Sequence, residues 1–189
     1  MGGTSNIELI NLAKHYKLKL NGVYEKDQLP EKLIKGWYIV NMQNHNMGNG
    51  THWVCFNYDT KSVYIDSFGI VPSLEIIDAM NNNYIHNTKQ IQDYDNGDCG
   101  LYCICAMLFW SQFLMTSNLK ILVAYDNMFS ISKRLNTLLM RNFLYQHDKD
   151  NKLFDDKPNI NFIDDSYIKK ESYFKCWNVK KNKISLYII

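Results

Sequence analysis

The chain has 189 residues, of which 46% are hydrophobic and 14% aromatic. It is long enough to bury one hydrophobic core and short for a second, so we expect a single domain over residues 1–189. The formal net charge of +2 argues against nucleic acid as an obligatory partner and leaves only a weak contact open.

The cysteine pattern and the apolar segments narrow the class of protein further. The five cysteines are odd in number and include no CxxC pair of the kind found in zinc ribbons or thioredoxin-like centres, so we expect reduced cysteines, no metal site and no cofactor. The longest apolar run, over residues 101–115, is short for a membrane span and suits a core helix. A soluble protein without membrane contact is therefore expected.

The chain starts with the pattern of a capped helix. Ser5 and Glu8 form a capping box, and the apolar residues that follow have helical spacing, which predicts a short amphipathic helix ending near Lys17. Turn-forming residues at Gly22 and Pro30 then indicate a loop before the first strand.

Strands are predicted in the next part of the sequence. Residues 37–42 are apolar and β-rich, and residues 51–68 contain two further β-rich runs that read as a hairpin. A three-residue hairpin loop centred on Asp59 would set His52 directly opposite Asp66, with Cβ atoms about 4.5–5.5 Å apart. A loop centred elsewhere would leave the two residues diagonal.

The rest of the chain predicts mostly helices. We expect a helix over residues 73–82, a strand over 84–92, a buried helix starting at residue 99 and a second long helix over 126–146. The tail from residue 157 alternates aromatic residues with lysines and ends in a strand-like run. Together these elements predict an α+β fold, with a central mixed β-sheet packed by helices.

Cys99 is the residue that most needs a chemical explanation. A cysteine at a helix N-terminus feels the positive end of the helix dipole and unpaired N–H groups, which favour the reactive thiolate. Gly97 and Gly100 flank the Asp98-Cys99 pair and suit a close approach by a substrate, whereas the alternative is a cysteine buried for packing. Cys103 shares a helix face with Cys99, but a metal site would need two more ligands that the sequence does not supply.

A thiol nucleophile needs a base, a group that orients the base, and donors for an oxyanion. His52, Asp66 and Gln92 are candidates for these roles, with the backbone N–H of Cys99 as a second oxyanion donor. Each has a structural alternative: a hydrogen-bonded strand histidine, a turn-capping aspartate and a solvent-facing strand glutamine. Asp98 is the rival acid.

The segments that contain these residues resemble the adenain family of viral cysteine proteases, which are relatives of the SUMO-specific proteases. The resemblance is carried by Gly-Thr-His-Trp at 50–53, Tyr-Ile-Asp-Ser-Phe-Gly at 64–69, Gln92 and Asp-Cys-Gly at 98–100. It is clearest over residues 36–110. The order of histidine, acid and cysteine along the chain also matches that clan.

The resemblance implies the adenain-like fold, with the nucleophile at the N-terminus of a buried helix. It implies His52 as general base, Asp66 as orienting acid, Cys99 as nucleophile and Gln92 as oxyanion donor. Adenovirus enzymes carry Glu at the position of Asp66, and the SUMO proteases carry Asp, so the role is kept. The candidate substrate-binding residues beside the base and the nucleophile are Trp53, Gly97 and Asp98.

The resemblance further implies a thiol endopeptidase that cleaves capsid or core precursor proteins during viral maturation. The expected protein is a monomer found in the virion and in the host-cell cytoplasm or viral factory. Frequent Asn, Lys, Ile and Tyr residues indicate an AT-rich genome, which suits a virophage or a related virus of microbial eukaryotes.

Two properties of the family and two other functions are weighed beside this interpretation. Adenain is activated by DNA and by a viral peptide that is joined through a cysteine ahead of the oxyanion glutamine. Residues 76–91 contain no cysteine, so disulfide-linked activation is not carried over to this chain. Activation by DNA stays a weak alternative. The other functions are a protease for ubiquitin-like modifiers, of the deSUMOylase or deubiquitinase type, and a non-catalytic virion assembly module with an inert Cys99.

Overall fold

A computed structural model describes residues 3–48, 50–113 and 116–148. Within these ranges the fold is α+β, and a five-stranded mixed sheet is its central element. The helices are α1 (Asn6–His15), α2 (Leu74–Ala79), α3 (Cys99–Ser111), α4 (Asn118–Asn127) and α5 (Lys133–His147), and a 3₁₀ turn spans Lys26–Gln28. The strands are β1 (Leu20–Glu25), β2 (Gly36–Asn41), β3 (Trp53–Tyr58), β4 (Ser62–Ile65) and β5 (Tyr84–His86).

The sheet has the spatial order β1-β2-β3-β4-β5, with the strands in the same order as in the sequence. The two outer pairs, β1 with β2 and β4 with β5, are parallel, whereas β3 is antiparallel to both of its neighbours. Strand residues alternate between the two faces of a sheet. Cys55 of β3 accordingly joins the larger core on one face, and Val54 and Phe56 join a smaller core on the other.

Helices cover both faces of the sheet. The larger core contains residues of α1, α3, α4 and α5, and the smaller one contains Ile76 and Met80 from α2 and its C-terminal end. Residues 102–110 of α3 are all buried, as its uniformly apolar sequence predicts. No helix within the described ranges is both long and apolar enough to cross a membrane.

Helix α1 confirms the predicted capping box. The Glu8 N–H donates to the Ser5 hydroxyl at 3.3 Å, and the Ser5 N–H donates to the Glu8 carboxylate at 2.7 Å. These bonds satisfy N–H groups that the first turn of a helix leaves unpaired. Leu9, one residue later, is fully buried, so the start of α1 is fixed against the core.

The hairpin exists, and its loop is centred one residue beyond Asp59, which shifts the strand pairing by two residues from the directly opposed arrangement of His52 and Asp66. Cys55 pairs with Ile65 and Phe56 with Tyr64, so the loop is centred on residue 60 and not on Asp59. Extending this register past the ends of the strands puts position 52 across from Phe68, and the His52 ring does stack on Phe68 with centroids 4.1 Å apart.

Strand β1 lies where the sequence predicts a loop. All six of its residues are half-buried, so it lacks the alternation that identifies a strand from sequence, and its pairing with β2 is irregular near Gly22. It is also an edge strand of the sheet. Its backbone is paired with β2, and the sequence of β1 alone does not show that pairing.

The C-terminal part of the described chain differs from the prediction in two places. The predicted helix over 126–146 is interrupted between α4 and α5, where the Ser130 N–H donates to the Asn136 side chain at 2.7 Å and the Ser132 hydroxyl caps α5. The predicted strand over 84–92 ends at His86. The predicted tail from residue 157 lies outside the described residues.

Candidate active site

His52 and Asp66 form a short, buried hydrogen-bonded pair. The His52 Nε2–H donates to Asp66 Oδ1 at 2.7 Å, and Asp66 is only 2% exposed. The Asn87 side chain binds the backbone of Asp66 at two points. Its amide oxygen accepts from the Asp66 N–H at 2.9 Å, and its amide nitrogen donates to the Asp66 carbonyl at 2.7 Å. The acid is therefore fixed in place, and the predicted pair is present although the two residues are diagonal.

The second imidazole nitrogen of His52, Nδ1, is available to interact with Cys99. Nδ1 is buried and has no hydrogen-bond partner within the described part of the chain. Burial is the largest influence on the pKa of His52 and would lower it. The hydrogen bond to Asp66 and the attraction of both Asp66 and the nearby Cys99 sulfur outweigh burial and raise the pKa from 6.5 to about 9. His52 is thus a cation at neutral pH, suited to balance a thiolate.

Cys99 is the first residue of α3, as predicted, and its side chain lies at the base of a cleft. The Trp53 backbone N–H donates to Cys99 Sγ at 3.4 Å. This N–H and the helix N-terminus both favour negative charge on the sulfur. His52 immediately precedes Trp53, so the start of β3 supplies both the imidazole and the N–H donor.

The other cysteines of the described chain lie deeper in the core. Cys55, Cys103 and Cys105 are buried and reduced, and burial raises the pKa of the Cys103 and Cys105 thiols well above the usual value. Cys103 and Cys105 are poor nucleophiles for that reason. The described residues contain no group of three or more His, Cys, Asp or Glu side chains that could hold a metal ion.

Gln92 is placed near the nucleophile along the chain but does not line the cleft. It is fully buried; its amide oxygen accepts from the Ser67 hydroxyl at 2.6 Å, and its amide nitrogen donates to the Asn96 carbonyl. Asn96 does line the cleft. Gln92 thus anchors the loop that leads to Cys99, and its role as oxyanion donor stays a prediction.

Asp98 is bound to Arg141 and not to His52. Arg141 of α5 donates through Nη2 to Asp98 Oδ1 at 2.8 Å and through Nε to Oδ2 at 3.3 Å. This pair joins α5 to the residue that precedes α3. Of the predicted substrate-binding residues, Trp53 and Gly97 line the cleft and Asp98 does not.

The cleft has a volume of about 740 Å³, within the range of ligand-binding clefts. It lies between the N-terminal residues, the loop before β3 and the loop before α3. Its lining includes residues for which sequence analysis assigned no role, among them Thr4, Asn41, Phe68 and Tyr94. None of the four could be assigned to the cleft from sequence, because the tertiary fold decides which residues reach it.

The thiol of Cys99 and the imidazole of His52 line the cleft, and the buried carboxylate of Asp66 is hydrogen-bonded to the imidazole. This combination can perform nucleophilic catalysis, with the carboxylate orienting the imidazole and the imidazole accepting the thiol proton. Comparison of the sequence with models of known protein families and with curated proteins returned no match.

Proposed function

We propose that the protein is a thiol endopeptidase with Cys99 as nucleophile, His52 as base and Asp66 as orienting acid. The observation that carries the proposal is the state of the His52 ring. One of its nitrogens is bound to Asp66 at 2.7 Å, and the other is buried without a partner in the described chain, next to Cys99. A merely structural histidine of this burial would be expected to satisfy both nitrogens.

In the proposed reaction, His52 already holds the Cys99 proton as an imidazolium–thiolate pair, and the sulfur attacks the carbonyl carbon of a peptide bond. The oxygen of the tetrahedral intermediate receives hydrogen bonds from the Cys99 N–H and from the Gln92 amide, which must first turn from the Asn96 carbonyl toward the cleft. The C–N bond then breaks while His52 protonates the leaving amine, which gives an acyl-enzyme. Water, deprotonated by His52, attacks the thioester and releases the acid product and Cys99.

We extend the proposal to an adenain-like fold and to precursors of virion proteins as substrates. Supporting features are the mixed sheet, the nucleophile at the start of the buried helix α3, and glycines on the walls of the cleft at positions 48, 50 and 97. Glycines leave room for the backbone of a substrate to approach closely. The resemblance to the adenain family implies a narrow groove that favours glycine next to the scissile bond.

The test is cleavage of candidate proteins followed by sequencing of the new termini. The substrates are the abundant structural proteins encoded by the same genome, with fusions to ubiquitin-like modifiers as a second panel. New termini in the first panel that are absent with Cys99→Ala support the proposal. Cleavage only at the modifier junctions would assign the alternative function, and no cleavage in either panel by the wild-type protein would count against a peptidase.

A further inference from the structure

The first described residues of the chain lie beside the candidate nucleophile. Residues 3–6, here named the N-terminal strap, line the same cleft as Cys99. The Thr4 carbonyl accepts a hydrogen bond from the indole N–H of Trp53 at 2.7 Å, and the backbone N–H of Trp53 donates to the Cys99 sulfur. One residue thus connects the strap to the nucleophile.

The strap also packs directly against the first turn of α3. A Cβ atom built on Gly100 would lie 2.9 Å from the Thr4 Cβ and 3.0 Å from both the Thr4 Oγ1 and the Leu9 Cδ2. Real Cβ atoms do not approach neighbours so closely, so Thr4 can occupy its position only because residue 100 has no side chain.

The strap is held by α1 and cannot shift independently of it. The capping box between Ser5 and Glu8 fixes the residue after Thr4, and Leu9 anchors the first turn of α1 in the core. The strap is thus held from three directions, by Trp53, by Gly100 and by α1.

We propose that the N-terminal strap is a positioning element for the nucleophile. It holds the Trp53 side chain, and through it keeps the Trp53 backbone N–H directed at the Cys99 sulfur. The inference rests on the proposed function, because it assigns the strap a purpose only if Cys99 is a nucleophile. Displacing Thr4 should leave the His52–Asp66 pair intact and reduce the reactivity of Cys99.

Gly100→Ala tests this inference in the full chain. Alanine is a better helix former than glycine, so α3 itself should tolerate it, whereas its methyl group must displace Thr4. The end of the Leu9 side chain, 3.0 Å away, must also give way, and it can do so by rotating. We expect alkylation of Cys99 by iodoacetamide at neutral pH, followed by peptide mass spectrometry, to slow about tenfold, as for the loss of one hydrogen bond to a charged group. The circular dichroism spectrum and a cooperative melt should be retained.

Two changes at Thr4 provide rescue and its matched control. Thr4→Gly removes the Cβ and Oγ1 atoms that meet the new methyl group but keeps the carbonyl that binds Trp53. Thr4→Ala keeps the Cβ. Combined with Gly100→Ala, the glycine variant should recover most of the alkylation rate, and the alanine variant should recover clearly less. Failure of Thr4→Gly to rescue would overturn the inference, as would an unchanged rate in Gly100→Ala alone.

If Gly100→Ala does not fold, Trp53→Phe gives an independent measurement. This change deletes the indole N–H but keeps the backbone N–H, and we expect a comparable loss of Cys99 alkylation; an unchanged rate would reject the strap as a positioning element. The wild-type protein separates the two proposals. Cys99 that alkylates no faster than a cysteine in a model peptide would count against the proposed function itself.

Discussion

At the scale of single residues, the Asp66 carboxylate accepts hydrogen bonds from two described groups. Its Oδ1 accepts from His52 at 2.7 Å and also from the backbone N–H of Phe68 at 2.7 Å. The two interpretations of Asp66, an orienting acid and a turn cap, are therefore compatible. The turn that Asp66 caps is the one that places Phe68 against the His52 ring, so the same side chain fixes two contacts of the imidazole.

The raised pKa of His52 makes a prediction about stability. Folding raises this pKa from 6.5 to about 9, so the folded state binds the proton more tightly. The resulting stabilisation is complete below the unfolded value and is lost as the pH rises through the folded value. A shift of this size corresponds to about 3 kcal/mol. Urea unfolding of the wild type and of His52→Gln, measured below pH 6.5 and above pH 9, should show a weaker pH dependence in the variant.

Asp66→Asn is the control for this measurement, because it keeps the shape of the acid and removes its charge. The decrease in stability over the same pH window should then be smaller than in the wild type. An identical pH dependence of the unfolding free energy in the wild type and in His52→Gln would contradict the prediction.

The burial of the other thiols makes a prediction about activity. Cys99→Ala should abolish cleavage, whereas Cys103→Ala, one helical turn further into the core, should retain it despite some loss of stability. The measurement is the initial rate of peptide cleavage, at a temperature where both variants are folded by circular dichroism. Residual turnover in Cys99→Ala comparable with that of Cys103→Ala would reject Cys99 as the nucleophile.

At the scale of elements, the start of α3 depends on α5. The Asp98–Arg141 ion pair is partly buried, with side chains 15% and 33% exposed, and it places a carboxylate at the positive end of the α3 dipole. We expect a double-mutant cycle of Asp98→Asn and Arg141→Gln, followed by urea unfolding, to give a coupling free energy of about 1–2 kcal/mol. Additive effects of the two changes would mean that the pair does not fix α3 to α5.

The loop before α3 gives a kinetic prediction. If Gln92 donates to the oxyanion, Gln92→Ala should lower kcat about 100-fold or more with a smaller change in KM. Ser67→Ala removes the bond to the Gln92 amide oxygen but leaves the amide N–H groups, so its effect on kcat should be much smaller. Equal losses in the two variants would indicate that Gln92 acts only as the anchor of the loop.

Some elements could be predicted from sequence because their signals are local. The capping box of α1 and the apolar run of α3 depend only on residues that are close in the sequence, and both are confirmed. Strand β1 was missed because its order comes from pairing with β2. The break between α4 and α5 was missed because it depends on the Asn136 side chain bonding back to Ser130.

In the candidate site, too, the residues with a local sequence signal could be predicted and those that depend on contacts between distant segments could not. His52, Asp66 and Cys99 could be found by residue type and motif, and the structure brings them together. The contributions of Thr4 and Arg141 could not be found, because each acts across a contact between distant segments. The role of Gln92 stays a prediction, and its burial and its bonds to Ser67 and Asn96 could not be predicted from sequence.

At the scale of the whole molecule, the site depends on the larger core. Helix α3 begins with Cys99 and contributes most of its remaining residues to that core. The imidazole and the carboxylate flank the ends of β3 and β4, and both strands contribute side chains to the same core. The position of the thiol relative to the imidazole is therefore set by how α3 packs on the sheet, so loosening the core should change the site as well as the stability.

Ile104 and Ile131 provide a matched test of how strongly the packing of α3 determines the stability of the fold. Ile104 is fully buried in the middle of α3, and Ile131 is 88% exposed between α4 and α5. Ile104→Ala should cost about 2–5 kcal/mol of unfolding free energy, and Ile131→Ala should change it by less than about 0.5 kcal/mol. For a single domain, urea transitions followed by far-UV circular dichroism and by tryptophan fluorescence should coincide in both variants. Separate transitions would show that the chain unfolds in independent parts, and equal losses in the two variants would show that the packing of α3 does not dominate stability.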